Sequence, residues 1–125
     1  MLKTIMAIGA GSFVGGTARF LISKTVTQVS TSSFPWATFL INILGCFIVG
    51  VVYGLFEKGS LGGENLKMFL TVGFCGGFTT FSTFIHENYV FVSDKNFLPF
   101  VIYASVSFAA GLIFAYLGHL LVKAF

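Results

Sequence analysis

Two polar side chains lie one helical turn apart in an otherwise apolar segment. Thr38 and Asn42 are four residues apart in the run T-F-L-I-N-I-L-G-C-F at 38–47, so on a helix they share a face. An Asn amide inside a membrane either bonds a neighbouring helix, for about 0.6–2 kcal/mol, or donates to a passing ligand, and this pair alone leaves both interpretations open. Tyr103 and Ser107 repeat the spacing in a later apolar segment. A polar stripe within a span favours a face that lines a path.

The run G-F-C-G-G-F-T-T-F-S-T-F at 73–84 is a poor continuous helix, although it lies in an apolar region. Glycine costs about 1 kcal/mol in a helix interior, and Ser and Thr hydroxyls compete for backbone groups. We therefore predict a break in a membrane helix, where freed backbone groups mark a pathway or a binding site. Carbonyls released there are hard oxygen ligands that suit a small cation such as Na⁺.

Phe81 and Phe84 follow this stretch at a spacing that puts both rings on one helix face. The rings either pack against neighbours or present their electropositive edges to an anion. Only Glu87 is an acidic residue that falls within an apolar span, whereas amides, hydroxyls and ring edges are all donors, so the sequence favours a small anion as ligand. Arg19 either extends to the lipid headgroups or stands at the mouth of an anion path.

The elements that must position these residues are membrane helices. Hydrophobic residues make up 56% of the 125 residues and charged residues 9%, whereas soluble domains carry about 25% charged residues. A span needs roughly 20 residues. The sequence predicts an all-α membrane protein, with residues 1–125 forming one domain and spans at about 4–23, 35–56, 65–92 and 97–122.

Charge and histidine placement exclude other classes. The seven basic residues are scattered, so no nucleic-acid partner is expected. His86 and His119 have no acid or cysteine at ligand spacing on their own helices, which argues against a metal site built from side chains.

Basic residues also set orientation in the membrane. With four spans, one side carries four basic residues and the other two, or three with Arg19. So weak a bias is compatible with insertion in both orientations, which would allow an antiparallel homodimer. Four helices alone enclose little interior, so we expect a working path to need a second subunit.

The chain closely resembles the Fluc (CrcB) family of small fluoride channels. The resemblance covers the whole length, and its most specific part is the run at 73–84 continuing to Glu87. The runs at 38–47 and G-G-T-A-R at 15–19 support it. It implies a passive fluoride exporter of the inner (plasma) membrane that confers fluoride resistance and is not an enzyme. It also implies an antiparallel dual-topology homodimer with two pores, in contact with the lipid bilayer.

By the same resemblance, each candidate residue has an expected role. Asn42 would be the pore amide, with Thr38 on its face, and Phe81 and Phe84 would turn ring edges to fluoride. The fluoride pore would continue along Tyr103 and Ser107, and Arg19 would lie near the vestibule. Backbone carbonyls of Gly76 and Thr79 would hold a structural Na⁺ at the dimer axis. Gly111 departs from the pattern, because a hydroxyl residue often continues the polar track there.

Two rival interpretations are open. A small multidrug exchanger also uses four spans and an antiparallel dimer, but it needs an intramembrane carboxylate, for which Glu87 is the only candidate. A packing or assembly subunit would explain the glycines and phenylalanines, but not four hydroxyl residues beside a helix break.

Overall fold

The computed structural model describes residues 1–59 and 62–125, and all regular elements within these ranges are helical. In chain order they are α1 (Leu2–Val29), α2 (Trp36–Glu57), α3 (Glu64–Met68), a π-helical segment (Phe69–Cys75), α4 (Gly76–Phe78), α5 (Phe81–Ser93) and α6 (Phe97–Lys123). Four stretches are long and apolar enough to cross a membrane: α1, α2, the third span Glu64–Ser93, and α6. This confirms the predicted all-helical membrane class with four spans.

The helix end that differs most from its sequence-based bound is that of α1. Helix α1 continues to Val29, so the first part of the expected polar link at 24–34 is helical. Its hydroxyls can bond back onto the helix, as Thr25 Oγ1 does to the Leu21 carbonyl at 2.9 Å, and a polar stretch therefore does not end it. The turn predicted at 57–64 includes residues 60 and 61, which lie outside the described ranges.

The break in the third span is narrower than the sequence indicates. Helical backbone continues through the glycines to Phe78, and only Thr79 and Thr80 are extended, with ψ of 160° and 117°. The glycines remain helical because they pack closely against α1. A Cβ on Gly73 would lie 2.8 Å from the Ile8 carbonyl oxygen, and one on Gly77 would lie 2.8 Å from that of Ser12.

Close backbone approach joins the helices in two pairs. Helix α1 packs against the first half of the third span, and α2 packs against α6. A Cβ on Gly15 would overlap the Phe74 carbonyl oxygen, and one on Gly118 would overlap that of Phe47. Gly11 and Gly15 thus form the close-approach face predicted from their GxxxG spacing.

The second half of the third span, α5, packs mainly against α6 and leaves much of its surface open. Large apolar side chains on the outside of the bundle are exposed, including Phe13 at 75%, Phe81 at 73% and Phe108 at 76%. Such a surface suits contact with lipid or with another apolar protein face.

Candidate functional site

The helix break is held by the side chain of Asn42. Its Nδ2 donates to the Thr80 carbonyl at 3.0 Å, and its Oδ1 accepts from the Thr80 amide at 2.8 Å. Both backbone groups of the extended residue are thereby satisfied inside the bundle, as non-helical backbone in a membrane requires. Asn42 therefore has the interhelical role that its sequence context left open.

Asn42 also retains a donor for a ligand. Its amide has two N–H groups, and the described residues provide Nδ2 with one acceptor, the Thr80 carbonyl. The side chain lines a cavity of about 440 Å³, here called the central cavity. The remaining lining residues are Cys46, Val49, Thr79, Thr80, Phe81, Phe84, Ala104, Ser107 and Phe108.

Ser107 supplies a second polar group to the central cavity. Its Oγ is buried and has no hydrogen-bond partner among the described residues. A buried hydroxyl without a partner costs about 1–3 kcal/mol, so this atom marks a place where a ligand or water gains a bond. Asn42 and Ser107 thus each offer a hydrogen-bond donor in this cavity, which Thr79 and Thr80 also line.

The two phenylalanines after the break also line this cavity. The ring centroids of Phe81 and Phe84 are 6.1 Å apart with planes inclined at 36°, so the shared face predicted from their spacing is present. Phe84 additionally packs on Tyr103 with centroids 5.0 Å apart, whereas Phe81 remains exposed. Packing therefore fixes the ring of Phe84, whereas the ring of Phe81 is exposed at the cavity wall.

Glu87 accepts hydrogen bonds from two of the predicted pore residues. Thr38 Oγ1 donates to its Oε2 and Tyr103 Oη donates to its Oε1, each at 2.8 Å. Thr38 and Tyr103 are almost fully buried and do not line the central cavity. In this arrangement both hydroxyl protons are committed to the carboxylate rather than offered to a ligand.

The sequence singled out Glu87 but left its role open between an interfacial group, a vestibule or relay group, and the carboxylate of an exchanger. The sequence signal for a functional role was that Glu87 is an acidic residue inside a predicted span, because a carboxylate there is usually functional and paired. Its partners come from α2 and α6, 49 and 16 residues away in the chain. No local pattern predicts such a contact.

Glu87 also lines a further cavity of about 330 Å³ between the end of α1, the α1–α2 connection and α5, here called the entrance cavity. Seven hydroxyl residues are among its lining: Ser23, Thr27, Ser30, Ser32, Ser33, Thr38 and Thr83. Polar walls of this kind accommodate water or a hydrated ion. Arg19 is absent from the lining of the entrance cavity.

Arg19 instead contacts the break. Its Nε donates to the Gly77 carbonyl at 3.1 Å. In a continuous helix that carbonyl would accept from Phe81, so the guanidinium supplies the donor that the break removes. Arg19 thus satisfies the Gly77 carbonyl with a direct hydrogen bond, as Asn42 does for the backbone of Thr80.

Gly76 precedes the break, and Thr79 is its first residue. The amide of Thr80, the helical donor for the Gly76 carbonyl, bonds Asn42, and the amide of Thr83, the helical donor for the Thr79 carbonyl, bonds Thr80 Oγ1. Both residues line a cavity of about 260 Å³ with Val49, Tyr53, Thr71, Val72 and Cys75, here called the break cavity. Carbonyls that have lost their helical donors suit a small hard cation.

Histidines and carboxylates do not assemble a metal site in the described part of the chain, where no group of three His, Cys, Asp or Glu residues comes together. His119 pairs with Glu57 at 2.5 Å, where the last turns of α2 and α6 meet. His86 lies beside Tyr89, with ring centroids 6.5 Å apart. Neither histidine lines the central cavity.

Comparison with known proteins gives a consistent result over the whole chain. A family profile described as CrcB-like protein, Camphor Resistance (CrcB), matches residues 6–119. A protein of Azobacteroides pseudotrichonymphae named Fluoride-specific ion channel FluC is 41% identical over 100% of both chains. Proteins of the same name are 39% identical in Chlorobaculum tepidum, over 98% of this chain and 97% of theirs, and 38% identical in Prosthecochloris aestuarii, over 97% and 94%.

Proposed function

The chain belongs to the CrcB family, and on this premise we propose that it is a fluoride-specific ion channel through which fluoride leaves the cell down its gradient. It is not an enzyme, because the named members of the family are ion channels. The observation that carries the proposal is the central cavity, which is lined by Asn42, by two phenyl rings and by Ser107, whose hydroxyl has no partner among the described residues.

This cavity has the chemistry that a small, strongly hydrated anion needs. Hydrogen-bond donors from Asn42 and Ser107 replace part of the hydration shell, and the edges of Phe81 and Phe84 add weaker positive potential. Among the residues that the structure describes, no Lys or Arg lines it. An anion would therefore be stabilised without being trapped by a full opposite charge, and conduction requires binding weak enough to permit exit.

Thr38 and Tyr103 contribute to the proposed pore through Glu87. Each already donates its proton to the carboxylate, so fluoride would compete with Glu87 as the acceptor. A hydroxyl that turned from the carboxylate to the ion would exchange one charge-assisted hydrogen bond for another. The entrance cavity on the far side of this cluster gives the ion a hydroxyl-lined approach.

We further propose an antiparallel homodimer with two pores in the inner (plasma) membrane, where export would confer fluoride resistance. The exposed phenylalanines beside the central cavity support a partner subunit, because one chain leaves that wall open. The weak asymmetry of basic residues is compatible with both orientations.

In such a dimer the carbonyls of Gly76 and Thr79 from both chains would hold a structural Na⁺ on the two-fold axis. The cation would supply positive charge that fixes two broken helices against each other. Support from this chain is that Gly76 and Thr79 line the break cavity, and that Asn42 and Thr80 Oγ1 have taken the helical donors of their carbonyls.

Ion efflux from liposomes tests the channel. Purified protein reconstituted into liposomes loaded with potassium fluoride should release fluoride when valinomycin balances the charge, as measured with a fluoride electrode. Liposomes loaded with potassium chloride should release no more chloride than protein-free ones. Chloride passing as readily as fluoride would contradict the assignment, and proton-coupled uptake of a cationic dye would favour an exchanger.

A further inference from the structure

Helices α2 and α6 place two stripes of residues opposite each other. Thr38, Asn42 and Cys46 are spaced by four on α2, and Tyr103, Ser107 and Gly111 are spaced by four on α6. Thr38 and Tyr103 meet at Glu87, and Asn42 and Ser107 meet in the central cavity. The next pair in this order is Cys46 and Gly111.

In this third pair, the side chain of Cys46 faces a glycine, so the two residues are complementary in size. A Cβ on Gly111 would lie 3.2 Å from Cys46 Sγ, which is tighter than an ordinary contact. The sulfur therefore occupies the space beside the glycine, and α6 offers no side chain there. Cys46 is also part of the lining of the central cavity, on the same face as Asn42.

We infer that Cys46 forms part of the wall of the ion path, where its thiol lies beside Gly111 and α6 supplies no side chain. The inference rests on the proposed function for its effect on flux. A thiol is a weak hydrogen-bond donor and a soft ligand. The path thus changes at this level from hydroxyl and amide groups to sulfur, and it acquires a site for soft cations such as Ag⁺.

Cys75 provides a matched internal control. It is 4% exposed and lines the break cavity on the opposite side of Thr79, not the central cavity. These are the two cysteines of the chain. Variants Cys46→Ser and Cys75→Ser each leave one thiol, and the hydroxyl that replaces it is close in size.

Silver block of fluoride efflux tests the inference. Ag⁺ binds a thiol as silver thiolate with release of one proton, so no oxidant is required. Liposomes in nitrate medium without chloride would be treated with Ag⁺ before efflux starts. Efflux after Ag⁺ is divided by the untreated rate of the same variant. We expect this ratio to fall for Cys75→Ser, which retains Cys46, as it does for the parent chain, and to stay near one for Cys46→Ser.

A second measurement separates this inference from the proposed function. After Ag⁺ treatment the protein is denatured and its remaining free thiols are labelled with a maleimide. If silver occupies Cys46 while Cys75→Ser still conducts at the untreated rate, the inference is wrong and the channel assignment stands.

If the untreated chain does not conduct fluoride, the channel assignment fails and the labelling alone decides the inference. Faster loss of maleimide labelling at Cys46 than at Cys75 would support exposure of Cys46 to the cavity, whereas equal rates or slower loss would overturn it. Alanine variants replace the serine ones if either fails to elute as a single species from size exclusion.

Discussion

The two halves of the third span are built in opposite ways. Before the break, small residues bring the backbone into contact with α1, and Gly73 and Cys75 are buried. After the break, α5 leaves Phe81, Ile85 and Tyr89 exposed and takes its polar contacts from other helices. Tight packing thus anchors the first half, which leaves the second half free to form the wall of a cavity.

The comparison predicts that the contact between α1 and the first half of the third span tolerates no added volume. Gly15→Val should abolish folding or cost about 3 kcal/mol or more, because its side chain would overlap the Phe74 carbonyl. Expression yield and size-exclusion profile in detergent measure the effect. The control is Gly16→Val, since nothing lies within 4 Å of a Cβ on Gly16. Equal behaviour of the two variants would contradict the packing described for the first half.

The join between the halves depends on Asn42. Asn42→Ala removes both hydrogen bonds to Thr80 and leaves backbone groups unsatisfied, at about 1–3 kcal/mol each. We expect a lower thermal unfolding midpoint and a loss of fluoride efflux. Asn65→Ala is the control, because that side chain accepts one exposed bond from Thr4. An unchanged midpoint in Asn42→Ala would show that the break needs no side-chain clamp.

Substitution of Arg19 tests whether its charge stabilises the helix break or promotes ion entry at the vestibule. Arg19→Met removes the bond to the Gly77 carbonyl, and a hydrogen bond to a charged group is worth about 1.5–3 kcal/mol. We expect a lower unfolding midpoint that Arg19→Lys restores only in part, because the Lys ammonium is a flexible, strongly hydrated point charge and lies one bond farther along the side chain than the Arg19 Nε that makes this bond. If Met and Lys variants unfold alike but differ in efflux, the charge would matter for ion entry rather than for the break.

The second half should tolerate substitution without unfolding. Phe81→Ile should abolish fluoride efflux and leave the unfolding midpoint unchanged, because the ring is 73% exposed and lines the central cavity. Phe13→Ile is the matched control, since Phe13 is 75% exposed on α1 and lies outside the cavity. Persistent efflux in Phe81→Ile would show that the Phe81 ring serves packing and is not needed for conduction.

Much of the fold follows from local pattern. Apolar length predicts the four spans, and the Gly11–Gly15 spacing predicts the close helix contact that the structure contains. The run at 73–84 predicts a break, and the spacing of Phe81 and Phe84 predicts their shared face. The placement of the break within the run was less accurate, because packing against α1 offsets the low helix propensity of glycine.

The sequence by itself determined the membrane class, the number of spans, the presence of a break and the residue types that could serve an anion. The tertiary structure decided which of these residues act together. Asn42 forms hydrogen bonds with the backbone of Thr80, and Arg19 donates one to the Gly77 carbonyl. Glu87 accepts hydrogen bonds from Thr38 and Tyr103. Each contact joins residues distant in the chain, and inside a membrane a polar group must find whichever partner the helix packing brings within reach. Propensity and periodicity describe one helix at a time, so they cannot specify that partner.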